Sequence, residues 1–225
     1  MKDELKLSCF TILVKDKEKK ILDRGTGFFI NNCGNFLSAG HVFKYKDCKF
    51  SAIFEGQAIE YPITEIYKEY VIQDEVTSTS YKDLYIGSIS IKSIAFFSLM
   101  TEIVPARSKV SMAGFNKLPP DGLIVDIDDL FDEDLIGEDS VYFNTYQTEI
   151  TDEKRYKTNR SNGSFYLMDN IYSIKSVGSK IRGISGGPLL LGNSCIGIIN
   201  NTFECVNSKY IANKLSYLNI PYTTI

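Results

Sequence analysis

Residues 28–37 read FFINNCGNFL, with an apolar arm on each side of a short polar turn. Asn and Gly tolerate the positive φ angles of tight hairpin turns, whereas aromatic and β-branched residues favour strands. The segment therefore predicts a β-hairpin. The small residues SAG at 38–40 follow it, and His41 comes next, so the hairpin would present an imidazole ring at the end of a strand.

Short apolar runs separated by polar or glycine-bearing turns continue along the rest of the chain. This pattern is typical of antiparallel sheets and not of helices that alternate with strands. The predicted strands are residues 7–14, 27–30, 35–39, 50–54, 84–91, 109–115, 141–150, 164–168, 188–191 and 195–199. Residues 210–218 space their apolar side chains as a helix face does, which predicts a short C-terminal helix. The predicted fold class is all-β, and 225 residues suit one large domain or two small barrels that share a cleft.

The charge and hydropathy of the chain exclude some classes of partner. A formal charge of -3 provides no basic field for a phosphate backbone, so we expect no nucleic acid partner. The first six residues, MKDELK, carry charges where a secretory signal needs apolar residues, and no later run is long enough to span a bilayer. We therefore expect a cytoplasmic protein with no membrane partner.

The five cysteines are odd in number and contain no C-x-x-C pair, which disfavours a disulfide framework and a structural zinc site. A zinc site would also need histidine, and the chain has one. The cysteines are most simply small buried hydrophobic residues with reduced thiols. We expect neither a metal nor a cofactor.

Residues 183–188, GISGGP, surround one serine with glycines just before the apolar run LLL. A nucleophilic serine needs a tight turn that exposes its hydroxyl, with backbone N–H groups aimed at the spot where an oxyanion forms. Gly183 and Ser185 could supply those N–H groups. A glycine-rich hairpin would be the better interpretation of SGG alone, but the full six-residue pattern favours a nucleophile at Ser185.

A serine nucleophile needs a base, and His41 is the only imidazole in the chain. A carboxylate must then orient the ring and stabilise its positive charge. Asp83 is followed by the apolar run LYI, which would carry its carboxylate inward. Asp47 and Asp74 are the competitors, but neither precedes such a run, and isolated aspartates are normally exposed.

Three motifs resemble those of the trypsin-like serine peptidases, especially the bacterial branch that includes the periplasmic heat-shock proteases. GTGFFI at 25–30 with GNFLSAGHV at 34–42 resembles the G-S/T-G-F motif, hairpin and histidine motif of that family. DLYI at 83–86 is similar to its aspartate segment, and GISGGP to its serine motif. A weaker similarity, VSMAGF at 110–115, would open a second barrel. The order His, Asp, Ser is also that of the family.

The resemblance implies a chymotrypsin-like fold, with two six-stranded antiparallel Greek-key barrels and a substrate cleft between them. The barrels would span residues 5–100 and 106–212, with His41 and Asp83 in the first and Ser185 in the second. The amides of Gly183 and Ser185 would form the oxyanion hole. The implied substrate-binding residues are Ser179 near the base of the specificity pocket, and Asn200, Asn201 and Thr202 along the substrate backbone.

These residues predict a serine endopeptidase that acts on a protein or peptide substrate. The alternatives are a catalytically silent relative that binds peptides and a latent protease that an activating partner protein switches on. Ile184 replaces an aspartate common in the family, and no IVGG-like segment exists, so activation by a new N-terminus is not expected. Val42 replaces a cysteine that commonly follows the histidine, which fits a reducing compartment. No acidic residue is predicted at the pocket base, which gives no support for a strict Arg or Lys preference. The acidic residues 126–139 are most simply a solvated loop, and a selector for basic substrates is the alternative.

Overall fold

A computed structural model describes residues 2–70, 83–117, 141–152, 156–158, 165–167, 170–177, 181 and 183–225. The two α-helices are α1 (Lys2–Leu7) and α2 (Ser208–Tyr217), and a 3₁₀ helix spans Gly40–Phe43. The strands are β1 (Cys9–Lys15), β2 (Ile21–Phe29), β3 (Asn35–Ser38), β4 (Lys49–Ile53), β5 (Glu60–Pro62), β6 (Thr64–Tyr70), β7 (Asp83–Ser88), β8 (Lys109–Asn116), β9 (Tyr142–Glu149), β10 (Tyr156–Thr158), β11 (Phe165–Leu167), β12 (Ile171–Ser173), β13 (Pro188–Leu191), β14 (Ser194–Ile199) and β15 (Glu204–Asn207).

The first antiparallel sheet has seven strands in the order β5-β4-β1-β2-β3-β7-β6. Its two edge strands, β5 and β6, follow each other in the chain with only Ile63 between them. The chain therefore passes directly from one edge of the sheet to the other, which curls the sheet toward closure. The bend falls next to Pro62, a residue that has no N–H to donate to a continuous ladder.

The second antiparallel sheet has six strands in the order β12-β15-β14-β13-β8-β9. An isolated antiparallel bridge between Ile150 and Ile174 joins the chain just beyond β9 to the chain just beyond β12. This bridge connects the two edges of the sheet, as a barrel requires. The described structure thus has the predicted all-β class, with these two sheets and a two-stranded antiparallel sheet of β10 and β11. The first sheet counts seven strands because one long strand is broken at Ile63.

Two clusters of buried side chains form the core, and the larger one contains residues of both sheets. The larger cluster contains the aromatic rings of the hairpin together with Phe10, whose ring lies 5.0 Å from the rings of Phe29 and Phe36. The smaller cluster contains Met112 and Leu189. Burying one such side chain stabilises the fold by about 1.5–3 kcal/mol, so these clusters fix the backbones from which the site residues project.

The predicted C-terminal helix is confirmed as α2. It begins after Asn207, whose side-chain oxygen accepts the Tyr210 N–H at 3.0 Å and so caps the helix. At the other end of the chain the prediction was wrong at Leu7, which ends helix α1 and does not begin a strand. The predicted strands also missed β5, β6, β10, β12 and β15, because these are short or carry exposed polar side chains.

All five cysteines lie within the described residues, and three of them have the predicted buried position. Cys9, Cys195 and Cys205 are buried, Cys33 is exposed, Cys48 is intermediate, and all are free thiols. Burial raises the pKa of the Cys195 thiol to about 12. Such thiols behave as small hydrophobic residues.

The described residues contain neither a membrane-spanning helix nor a cluster of metal-binding side chains. Over the described part of the chain, no helix is long and apolar enough to cross a membrane. Within those same ranges, no group of three or more His, Cys, Asp or Glu side chains could hold a metal ion. The acidic residues 126–139 lie outside the described residues, so their predicted role stays a prediction.

Candidate active site

The His41 side chain pairs with the carboxylate of Asp83 through two contacts. The His41 Nδ1 atom lies 2.7 Å from Asp83 Oδ2, and the His41 backbone N–H donates to Asp83 Oδ1 at 2.7 Å. The Asp83 side chain is 1 % exposed, whereas that of His41 is 24 % exposed. Because both oxygens of the buried Asp83 carboxylate contact His41, the imidazole ring is held in place with its other nitrogen facing outward.

The backbone around His41 explains why a glycine precedes it. A Cβ atom at Gly40 would lie 2.6 Å from the Glu69 carbonyl oxygen and 3.2 Å from Asp83 Oδ1. Only a residue without a side chain lets the 3₁₀ turn approach strand β6 this closely. The adjacent strands β3 and β7 are paired, with Ser38 opposite Tyr85, and this pairing brings His41 to Asp83.

The competing aspartates differ in their surroundings. Asp47 is exposed and lies in a turn at φ 58°, far from the buried position that an orienting carboxylate needs. Asp74 lies outside the described residues. Of the two that the structure describes, only Asp83 contacts the His41 ring.

Asn200 connects this pair to the serine loop of the second sheet. Its side-chain Nδ2 donates to the Asp83 carbonyl oxygen at 3.0 Å, and its Oδ1 accepts the Val206 N–H at 3.2 Å. Its backbone carbonyl oxygen accepts the Ser185 hydroxyl at 3.3 Å. The residue is 4 % exposed, so one buried asparagine contacts both the aspartate and the serine.

The loop that carries Ser185 is held by backbone hydrogen bonds on both sides. The Gly186 N–H donates to the Ile199 carbonyl oxygen at 2.7 Å, and the Ser185 carbonyl oxygen accepts the Thr26 N–H at 2.8 Å. Gly183 and Gly186 adopt φ angles of 102° and 87°, which side chains rarely tolerate. Among the described residues, the N–H groups of Gly183 and Ser185 have no hydrogen-bond acceptor. Their predicted role in an oxyanion hole stays a prediction.

The segment expected to pair with a substrate backbone is a tight turn. Residues 200–203 alone connect β14 to β15, and the N–H groups of Asn200 and Asn201 donate to the Glu204 carbonyl oxygen at 3.1 and 3.3 Å. Thr202 is partly exposed at the turn. Substrate pairing through the N–H groups of Asn200 and Asn201 would therefore require opening of the turn. Ser179 lies outside the described residues, and its predicted role stays a prediction.

Sequence reasoning missed two residues, one beside this turn and one beside the serine loop. Glu204 is 6 % exposed, and its Oε2 accepts the Asn201 side-chain amide at 3.2 Å, so a buried carboxylate lies beside the turn. Thr26 was noticed only as part of a motif, although its side chain reaches the serine loop. Little in the sequence could have indicated these contacts. The Thr26 contact joins segments that are distant in the chain, and the Glu204 contact depends on a turn whose length was not predicted.

A groove opens beside the serine loop. Its volume is about 410 Å³, and Gly183, Arg24, Leu22 and Asn116 are among the residues that line it. The groove lies between strands of the first sheet and strand β8 of the second, and His41, Asp83 and Ser185 are not among its lining residues.

Comparisons with known proteins define the fold more narrowly. The sequence matches no family model and no curated protein sequence. The structure is similar to the crystal structure of the Rv3671c protease from M. tuberculosis in its active form, with a TM-score of 0.64 over 99% of this chain and 86% of that one. This chain has the trypsin-like serine protease fold.

The sequence identity to that protease is 14%, so the likeness concerns the fold alone. An inactive form of the same M. tuberculosis protein, in which a serine is replaced by alanine, gives a TM-score of 0.60 at 15% identity and covers 97% of this chain and 91% of that one. The all-β prediction is confirmed. The narrower resemblance to the heat-shock branch stays a prediction.

Proposed function

We propose that this chain is a serine endopeptidase that cleaves protein or peptide substrates through an acyl-enzyme on Ser185. The observation that carries the proposal is the buried Asp83 carboxylate, 2.7 Å from His41 Nδ1, connected through Asn200 to the Ser185 loop. A paired carboxylate and imidazole on one sheet, together with a half-buried serine turn on the other, is the arrangement that acyl transfer needs. The protease fold supports the proposal without assigning residues.

In the first step, the Ser185 oxygen attacks the carbonyl carbon of the scissile peptide bond, and the Ser185 proton passes to the free ring nitrogen of His41. Collapse of the tetrahedral intermediate breaks the C–N bond, and the leaving amine takes the proton from His41. A water molecule then gives its proton to His41 and attacks the ester carbonyl. The carboxylic acid product leaves, and the proton returns to Ser185. No cofactor takes part in these steps.

The amides of Gly183 and Ser185 would stabilise the oxyanion in both halves of the reaction. Loss of one such donor typically costs about 2.7–4 kcal/mol of transition-state stabilisation. The loop that presents these amides therefore contributes as much to the expected rate as the orientation of the imidazole does. This is why the geometry of residues 183–185 matters to the proposal.

One observation favours a second candidate, a latent protease domain that an activating partner protein switches on. The Ser185 hydroxyl donates to the Asn200 carbonyl oxygen, among the described residues its only acceptor. Attack on a substrate requires the hydroxyl to leave that carbonyl and donate to His41. A partner that binds near the turn at 200–203 could favour His41 over the Asn200 carbonyl as the acceptor of the Ser185 hydroxyl. A catalytically silent peptide-binding module is the remaining alternative.

Labelling with a fluorophosphonate separates these functions, because the reagent requires an activated serine and a formed oxyanion hole. We expect the purified wild-type chain to be labelled at Ser185, as mapped by peptide mass spectrometry, and Ser185→Ala to lose the label. Ser98→Ala removes an exposed hydroxyl that bonds Thr223 and serves as the matched control. Labelling that appears only after addition of cell extract would indicate the latent form, and no labelling under either condition would contradict the hydrolase.

A further inference from the structure

The side chain of Thr26 joins three parts of the candidate site. Its hydroxyl donates to the Gly183 carbonyl oxygen at 3.0 Å and accepts the Phe115 N–H at 2.9 Å. Its backbone carbonyl oxygen accepts the Ser38 hydroxyl at 2.8 Å. Thr26 is fully buried, so each of these polar groups depends on its partner inside the protein.

These contacts hold the serine loop at two backbone carbonyl groups. The Thr26 hydroxyl holds the Gly183 carbonyl, and the Thr26 N–H holds the Ser185 carbonyl at 2.8 Å. The Ser185 N–H lies between these two carbonyls along the chain, and the Gly183 N–H belongs to the residue whose carbonyl is held. A residue on strand β2 of the first sheet therefore fixes the orientation of the loop on the second sheet.

The surrounding glycines allow the close approach of Thr26. A Cβ atom at Gly114 would lie 2.8 Å from the Thr26 hydroxyl oxygen, and a Cβ atom at Gly186 would lie 2.3 Å from the Thr26 carbonyl oxygen. Such distances are too short for real contacts. The threonine and its two glycine neighbours thus form one packed unit across the two sheets.

We propose that Thr26 is a positioning residue of the oxyanion loop, one that acts through its hydroxyl on the Gly183 carbonyl. The inference rests on the proposed function, because the loop has a catalytic role only in a hydrolase. The inference goes beyond the triad and the oxyanion amides, because it assigns a role to a buried side chain of the first sheet that does not touch the substrate. Its Ser38 contact also connects the loop to strand β3, which leads into His41.

The test compares variants that separate the hydroxyl from the volume of the side chain. Thr26→Val keeps the shape and removes the hydroxyl, whereas Thr26→Ser keeps the hydroxyl and removes a methyl group. Thr148→Val is the matched control, because the Thr148 hydroxyl also donates to a backbone carbonyl, that of Lys175 at 2.6 Å, from a strand edge remote from the serine loop. Gly114→Ala perturbs the same hydroxyl from the opposite side if Thr26→Val fails to fold.

Two readouts are needed, one of loop order and one of chemistry. Amide hydrogen exchange of peptides that cover residues 183–190 should be roughly tenfold faster in Thr26→Val, since a lost hydrogen bond of this kind is worth about one factor of ten. Fluorophosphonate labelling should slow about tenfold or more, a part of the 10²–10³-fold loss that removal of a whole oxyanion donor causes. With a peptide substrate, the loss should fall on kcat and not on KM. Thr26→Ser and Thr148→Val should resemble the wild type in every readout.

Three results would overturn the inference. These are unchanged loop exchange in Thr26→Val, equal losses in Thr26→Ser and Thr26→Val, or faster exchange with wild-type labelling. Failure of the wild-type chain to label would instead count against the proposed function. Amide exchange would still decide whether the Thr26 hydroxyl holds the loop, so the two failures are distinguishable.

Discussion

Replacing Asp83 with asparagine changes one atom of a buried side chain and should nearly abolish activity. In the wild-type structure, Asp83 Oδ1 accepts the His41 backbone N–H, and Oδ2 contacts His41 Nδ1, both at 2.7 Å. The asparagine oxygen must occupy the Oδ1 position, because a backbone N–H cannot accept a hydrogen bond. The amide NH₂ then faces His41 Nδ1.

An NH₂ group at this position forces Nδ1 of the ring to accept a hydrogen bond. The ring proton moves to the other nitrogen, which can then no longer accept the proton of Ser185. Substitution of this kind in a serine protease triad lowers kcat by about 10⁴-fold, and at about 1.36 kcal/mol per factor of ten this is roughly 5 kcal/mol of lost transition-state stabilisation. The binding of the substrate should change little.

The assay is the second-order rate of fluorophosphonate labelling, followed by intact mass, with thermal unfolding as a check of the fold. Asp47→Asn is the matched control, since Asp47 is an exposed aspartate on the same half of the chain, and it should label at the wild-type rate. A folded Asp83→Asn variant that labels within tenfold of the wild type would refute the assigned role of the carboxylate. Equal losses in both variants would indicate a nonspecific effect of charge.

Three further predictions follow from the packing around the site. Gly186→Ala should lower the free energy of unfolding by about 2 kcal/mol or more, because Gly186 has φ 87° and its Cβ would lie 2.1 Å from the Ser38 hydroxyl oxygen. The control Gly192→Ala has φ 61° and open space around it, so it should cost only about 1–2 kcal/mol. Both are measured by urea unfolding. Asn200→Ala should cost about 1–3 kcal/mol in the same measurement, since it leaves buried backbone groups without partners; an unchanged stability would contradict the bridging contacts. A thiol reagent should modify Cys33 in the native chain but Cys195 only after denaturation, because burial raises the pKa of that thiol to about 12; peptide mapping of rapid native modification at Cys195 would disprove its burial.

Parts of the fold and of the site could be predicted because their signals are local. The hairpin at 28–37 could be predicted because a turn of Asn and Gly lies between two aromatic arms, and the structure pairs Phe28 with Leu37. The apolar run after Asp83 indicates a carboxylate that enters a strand and is buried, as the structure has it. These inferences required only the chemistry of neighbouring residues.

Other features could not be read from the sequence because they depend on distant segments. The Thr26 hydroxyl bonds a carbonyl 157 positions away, and the Asn200 side chain bonds one 117 positions away. No periodicity marks such contacts. Strand β6, TEIYKEY, is largely exposed and its polar sequence resembles that of a loop, so its place at the edge of the first sheet emerged only from tertiary pairing.

The most direct test of the account is the detection of an acyl group on Ser185 during turnover of an activated ester. The chain is mixed with p-nitrophenyl acetate, quenched in acid and digested for peptide mass spectrometry. We predict a burst of about one equivalent of nitrophenol and an acetyl group on the Ser185 oxygen, both lost in His41→Ala and Ser185→Ala. Acetyl transfer to another residue, or hydrolysis that persists at the wild-type rate in Ser185→Ala, would contradict the account.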